Sequence, residues 1–212
     1  MIDIYVIIKD RVITSLQKIN RYGIQGIDTF VECMKKEEEV LQFFQDLNLF
    51  NLRTIKIENC DEFLEHSLDA ICRKNSNLRH LSIPNTLSKF GFGLDALSSC
   101  CINLETLCLD NCCLSNKKLE FLKNFQNLRN LSLKRTKIAD ETIKNIVKNN
   151  SKMSKIDLLH CNKITKEGAT YIVKEAKNLK YLNLVGTKVN SHKGWRIYVQ
   201  FGQFKKNFLM YC

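Results

Sequence analysis

The sequence repeats itself at a nearly constant interval, and this feature constrains the fold more than any other. A motif of the form Leu-x-x-Leu-x-Leu, in which isoleucine or methionine can replace leucine, occurs six times along the 212 residues. The copies begin at Leu52, Leu78, Leu104, Leu128, Met153 and Leu179, and their starts lie 24 to 26 residues apart. Self-similarity at such a period indicates an array of stacked units, each too small to bury its own apolar face.

Each repeat combines two hydrophobic periods. Within the motif, apolar residues alternate with polar ones, which is typical of a short strand with one buried face. Between motifs, apolar residues recur three and four positions apart, as at Leu119, Leu122 and Phe125, which is helical spacing. Strands joined through helices pair in parallel, and such crossovers are right-handed. The patterns predict an α/β solenoid, a right-handed superhelix with a parallel sheet on its concave face and helices on its convex face.

The ninth place of each repeat holds a small side chain that can donate a hydrogen bond. Its occupants are Cys60, Thr86, Cys112, Thr136, Cys161 and Thr187. The chain turns away from the sheet here, and a thiol or hydroxyl can satisfy a buried backbone carbonyl. We therefore interpret these cysteines as structural. The ten cysteines include no Cys-x-x-Cys pair, so we predict no metal site.

The repeat resembles a leucine-rich repeat. The resemblance rests on the motif, on the Cys-x-x-Ile-Thr-x-x-Gly step from Cys161 to Gly168, and on a Cys-x-x-Leu lead-in at Cys101. These features are similar to the cysteine-containing, ribonuclease-inhibitor-like subclass found in F-box/leucine-rich-repeat proteins and eukaryotic-like bacterial effectors. The resemblance spans residues 52–190 and implies a scaffold that binds another protein. It does not imply which protein, because the family binds many unrelated targets.

The ends of the solenoid are expected to be capped, because an open end would expose the core. Residues 1–51 are predicted to form an N-terminal cap, either helical or a divergent repeat, and residues 52–190 the six repeats. Residues 191–212 are rich in aromatic and basic side chains and are predicted to form a C-terminal capping helix. Pro84, the only proline, is expected at a strand end, since an interior position would lose a ladder hydrogen bond.

Catalysis is not expected. The four histidines lie in different repeats, and the one nucleophile pair worth considering is Cys108 with His80 from the preceding repeat. No orienting third residue and no glycine-rich loop accompany that pair. Phosphate-binding glycine motifs are also missing, so we predict neither enzyme activity nor a cofactor.

The concave face is the surface whose residues the repeat register predicts. The third, fifth and seventh places of each repeat point away from the core, because side chains alternate along a strand. In the late repeats these places combine aromatic, apolar and charged side chains, as interface hot spots do. A solvated face without a partner is the alternative. The predicted partner-binding residues are His80, Asp110, Ser132, Lys134, Lys155, Asp157, Leu159, Tyr181, Asn183 and Val185.

The formal net charge of +11 admits two interpretations. The second place of the repeats supplies a basic line of Arg53, Arg79, Arg129 and Lys180, interrupted by Glu105 and Ser154. Such a line is typical of proteins that bind nucleic acids or acidic proteins. Lysines interleaved with acidic residues on helices would instead reflect solvation.

The sequence thus predicts a monomeric, non-catalytic scaffold that binds a protein partner on its concave face. No signal peptide or membrane span is recognised, so a cytoplasmic location is expected. The resemblance suggests a bacterial effector delivered into a host cell, or a substrate-recognition adaptor in ubiquitin ligation. No proline-marked F-box is recognised before Pro84, which disfavours the adaptor. A basic nucleic-acid-binding module is the remaining alternative.

Overall fold

The computed structural model describes residues 5–9, 53–58, 65–85, 93–189 and 198–200. Within them, eight strands form one sheet whose spatial order is the chain order. They are β1 (Tyr5–Lys9), β2 (Thr54–Glu58), β3 (His80–Ser82), β4 (Thr106–Cys108), β5 (Asn130–Ser132), β6 (Lys155–Asp157), β7 (Tyr181–Asn183) and β8 (Tyr198–Gln200). Strands β1 to β7 are parallel, and β8 pairs antiparallel with β7.

Helices connect the consecutive strands of the repeats. They are α1 (Glu65–Lys74), α2 (Gly93–Cys100), α3 (Asn116–Leu119), α4 (Asp140–Asn149) and α5 (Lys166–Glu175). The chain is therefore an α/β leucine-rich-repeat solenoid, as its sequence predicts. One segment differs, because α3 continues as a 3₁₀ helix over Glu120–Asn124. This repeat is the shortest, and a 3₁₀ helix covers more length per residue than an α-helix does.

The apolar core is a set of continuous rows. The strand register places equivalent residues of successive repeats opposite one another, so that Leu81 lies beside Leu107 and Leu131 beside Ile156. All four are buried, as is Leu182 in β7. Burying one such side chain contributes about 1.5–3 kcal/mol. Because every row continues through the stack, each repeat depends on its neighbours for its core.

Where the structure describes the ninth place, it confirms that the side chain there donates a hydrogen bond to a backbone carbonyl. Cys112 Sγ donates to the carbonyl oxygen of Ile83 at 3.1 Å, and Cys161 Sγ donates to that of Leu133 at 2.9 Å. Thr136 Oγ1 also donates to Leu133 O, at 2.7 Å. The cysteines thus bond to the preceding repeat, whereas the threonine bonds within its own repeat. Cys60 and Thr86 lie outside the described residues.

Polar side chains also connect the helix starts of successive repeats. The first turn of α4 has no cap of its own, and Asn116 Oδ1 accepts from Ala139 N at 2.7 Å. Asp140 in turn accepts from Thr165 N at 2.9 Å, at the start of α5. A Cβ on Gly168 would lie 2.8 Å from Asp140 Cγ, so only glycine fits there. The Ile-Thr-x-x-Gly step is therefore an inter-repeat capping device.

The eighth place of each repeat adopts a left-handed backbone conformation. Its φ angle lies between 55° and 73° at Asn85, Asn111, Arg135, His160 and Gly186. Asparagine and glycine tolerate this conformation, whereas arginine and histidine adopt it at a cost of about 1–2 kcal/mol. The turn after each strand is thus the same in all five repeats, whichever residue occupies it.

The termini differ in part from the sequence prediction. Residues 198–200, expected within a capping helix, form strand β8, which pairs with the outer edge of β7 and satisfies its backbone groups. At the other end, β1 pairs in parallel with β2. The rest of both predictions lies outside the described residues. Pro84 follows the end of β3, as predicted.

We predict that Cys161→Ala lowers the free energy of unfolding by about 1–3 kcal/mol, because it removes a buried donor and leaves a small cavity. Cys161→Ser keeps a donor and is expected to cost less. Urea unfolding followed by circular dichroism measures both. The control is Cys113→Ser, at an exposed site one residue beyond the ninth place. Equal losses for Cys113→Ser and Cys161→Ala would show that the ninth place has no special role.

Candidate functional site

The strand register assembles most of the predicted partner-binding residues on the concave face. Along the third place of the repeats, His80, Thr106, Asn130, Lys155 and Tyr181 lie side by side on consecutive strands. Along the fifth place the row is Ser82, Cys108, Ser132, Asp157 and Asn183. Residues up to 26 positions apart in the chain are thereby brought to adjacent strands, about 4.8 Å apart.

Five of these residues form one hydrogen-bonded group, here called the concave polar network: Asp110, Ser132, Lys134, Asp157 and Asn183. Asp110 Oδ1 accepts from Ser132 Oγ at 2.6 Å and from Lys134 N at 2.9 Å. Asp157 Oδ1 accepts from Asn183 Nδ2 at 2.9 Å. The ammonium group of Lys134 joins the two halves, lying 3.3 Å from Asp110 Oδ2 and 3.8 Å from Asp157 Oδ2. The network therefore spans four repeats.

Lys134 remains charged in this setting. Burial is the largest single influence on its pKa and lowers it, but the charges of Asp110 and Asp157, with the hydrogen bond to Asp110, act in the opposite direction and prevail. The pKa of Lys134 is therefore raised above its ordinary value. A cation held between two carboxylates compensates both of them, which a partly buried pair of acids requires.

Two members of the network are too buried to touch a partner directly. Asp157 is 5% exposed and Asn183 is 4% exposed. Their oxygens also hold the backbone that follows each strand, since Asp157 Oδ1 accepts from Leu159 N and Asn183 Oδ1 accepts from Val185 N. Their role is to fix the positions of the residues around them.

The accessible residues beside the network form a second group, here called the exposed cluster: Lys155, Leu159, Tyr181 and Val185. Lys155 is exposed and the other three are half-buried. Lys155 Nζ lies 4.9 Å from the centroid of the Tyr181 ring, a cation–π contact worth about 0.5–1 kcal/mol at such a site. Because Asp157 and Asn183 hold Leu159 and Val185, the cluster is set in place before any partner arrives.

The structure does not bring His80 to this cluster, and it does not place His80 opposite Cys108. Strands β4 and β5 separate His80 from Lys155, while the residue opposite Cys108 on β3 is Ser82. Burial raises the pKa of the Cys108 thiol, and the charge of Asp110 raises it further. A catalytic cysteine needs the opposite shift.

The site residues predicted from the sequence do not include the cations of the loops that follow the strands. Arg135, Lys137, Lys163 and Lys188 are exposed there. The repeat register could have identified two of them, since Lys137 and Lys188 share the tenth place of their repeats. In the described part of the chain, no three His, Cys, Asp or Glu side chains gather as metal ligands, and no helix has the length and apolar character needed to cross a membrane.

No protein-family model and no curated protein sequence matches the chain. Solved structures do resemble it. The C-terminal domain of tropomodulin from Caenorhabditis elegans superposes with a TM-score of 0.52 at 11% identity, over 68% of this chain and 93% of that domain. An internalin from Listeria monocytogenes superposes with a TM-score of 0.49 at 19% identity, over 62% of this chain and 34% of the internalin. The chain thus spans about a third of that internalin. The tropomodulin superposition supports the fold alone.

We predict that Asp157→Ala lowers the free energy of unfolding by about 2–4 kcal/mol, because it leaves Asn183 Nδ2 and the Leu159 amide without their acceptor and Lys134 with one carboxylate instead of two. Asp157→Asn retains an acceptor oxygen and is expected to lose less than half of that. Chemical unfolding of the purified variants provides the measurement. Glu175→Ala, at an exposed position of α5, is the control and is expected to stay within about 0.5 kcal/mol. The network has no stabilising role if Asp157→Ala matches that control.

We predict that Cys108 and Cys161 react at least about tenfold more slowly than Cys113 with iodoacetamide near pH 8, because the thiolate is the reactive form. Burial raises the pKa of both Cys108 and Cys161, whereas Cys113 is exposed. Peptide mass spectrometry over a time course gives the rates, and protein unfolded in urea serves as the control with equal rates. Rapid labelling of Cys108 in the folded protein would contradict the prediction that its thiol has a raised pKa and low reactivity.

Proposed function

We propose that this chain is a non-catalytic interaction module that binds a protein partner on its concave face. The observation that carries the proposal is the exposed cluster resting on the concave polar network. Tyr181 and Lys155 offer an aromatic and a charged contact, and Leu159 and Val185 add apolar surface beside them. Preorganised contacts bind more tightly because little side-chain freedom is lost on association.

The proposed subclass and cellular role follow the sequence resemblance. The hydrogen bonds from the Cys112 and Cys161 thiols to the preceding repeat support membership of the cysteine-containing, ribonuclease-inhibitor-like subclass. Within it, an effector acting on host proteins is the leading role, and an adaptor in ubiquitin ligation is the alternative. Both roles use the same contact, a partner lying on the parallel sheet. A chain of this kind acts without a cofactor and as a monomer.

We predict that Tyr181→Ala abolishes partner capture while the protein stays folded. Immobilised wild type and variants would be exposed to lysates of the source cell and of a eukaryotic host cell, and the captured proteins quantified by mass spectrometry. Loss of a central aromatic contact typically costs about 2 kcal/mol or more, which is roughly a thirtyfold loss of affinity. The captured protein, once purified, allows the same comparison by calorimetry.

The matched control is Tyr171→Ala, which removes a half-buried tyrosine from α5 on the convex side. Circular dichroism verifies that both variants fold. Proteins retained by Tyr171→Ala and lost by Tyr181→Ala are concave-face partners. If Tyr181→Ala captures the same proteins as wild type at the same level, the concave-face proposal is wrong.

A further inference from the structure

The positive charge of the chain is segregated to one side of the solenoid. In the described repeats, the segments outside the helices contain thirteen basic and four acidic residues, a net charge of +9. The helices contain nine basic and eight acidic residues, a net charge of +1. These non-helical segments, here called the strand side, form the concave face and its two edges; they are residues 53–58, 75–85, 101–115, 125–139, 150–165 and 176–189.

Three of the four acidic residues on the strand side are already engaged. Glu105 lies between two arginines, with Oε1 2.8 Å from Arg79 Nη1 and Oε2 3.7 Å from Arg129 Nε. Asp110 and Asp157 belong to the concave polar network and share Lys134. Each of these carboxylates is paired with a cation, so it presents little net negative charge to solvent.

Eight basic side chains on the strand side are exposed and form no ion pair within the described residues: Lys56, Arg135, Lys137, Lys152, Lys155, Lys163, Lys180 and Lys188. Lys56 and Lys155 lie on the concave face, Lys152 and Lys180 at the edge where strands begin, and the other four at the edge where strands end. Adjacent strands are about 4.8 Å apart, which is shorter than the Debye length of about 8 Å at physiological salt. The fields of neighbouring repeats therefore add.

The chemistry of the surface favours a carboxylate partner over a nucleic acid. Base stacking needs an open aromatic face, and Lys155 already lies over the Tyr181 ring. Apolar Leu159 and Val185 lie among the cations, as in protein interfaces.

We propose that the concave face and its edges bind a protein through a carboxylate-rich surface or segment. This inference rests on the proposed function and names the kind of partner. The cations steer an acidic partner towards the sheet, and the exposed cluster then provides the close contact. Binding is accordingly fast at low salt and weakens as salt rises.

A fluorescein-labelled poly-glutamate peptide is the probe, and its anisotropy with the full chain reports binding. The test variant combines Lys155→Glu, Lys163→Glu and Lys188→Glu. The matched control combines Lys117→Glu, Lys148→Glu and Lys174→Glu on the helices, which changes the net charge by the same amount. We expect the strand-side variant to bind roughly tenfold or more weakly than wild type, and the helix-side variant less than about threefold more weakly.

Three outcomes would overturn the proposal. In the first, poly-glutamate shows no salt-dependent binding to wild type. In the second, the strand-side and helix-side variants weaken poly-glutamate binding equally. In the third, an oligo-thymidine of matched charge binds more tightly than poly-glutamate through the same strand-side lysines. The last result would assign the surface to nucleic acid. Tyr181→Ala separates this proposal from the proposed function, because it keeps the charges and is expected to leave poly-glutamate binding within about twofold while it removes captured partners.

Discussion

The in-register stacking of one repeat on the next is the constraint on which the rest of the structure depends. Strands of three residues cannot persist alone, and each takes its hydrogen bonds from its neighbours, as Thr106 N does from Arg79 O and Lys155 N from Arg129 O. The ninth-place thiols and the Asn116 and Asp140 caps cross the same boundary between repeats. Stability therefore resides in the interfaces between repeats, as in other solenoids.

The same stacking creates the candidate site. Asp110, Lys134 and Asp157 belong to three different repeats and meet only because the register places the same positions on adjacent strands. Once a cation lies between two carboxylates, the network can be partly buried without an uncompensated charge. Its hydrogen bonds to the loops after β6 and β7 then hold Leu159 and Val185 beside Tyr181.

The distribution of charge follows from the two environments of each repeat. Exposed helix faces pair opposite charges within a turn or across neighbouring helices, as Arg73 does with Asp69 and Lys144 with Glu167, so the helices remain nearly neutral. The strand side has few such pairs. Three of its four acidic residues already pair with cations: Glu105 with two arginines, and Asp110 and Asp157 with Lys134. The remaining cations accumulate on the strand side, which is the surface proposed to face a partner.

The sequence by itself determined the solenoid, its rows of leucines and the ninth-place donors, because these depend on a period that recurs in every repeat. It also identified which side chains of a strand leave the core. Only the tertiary structure decided that Asp157 and Asn183 are buried and that residues 198–200 form a strand. Burial and pairing depend on neighbours some 25 residues away, and a pattern read along one chain does not contain them.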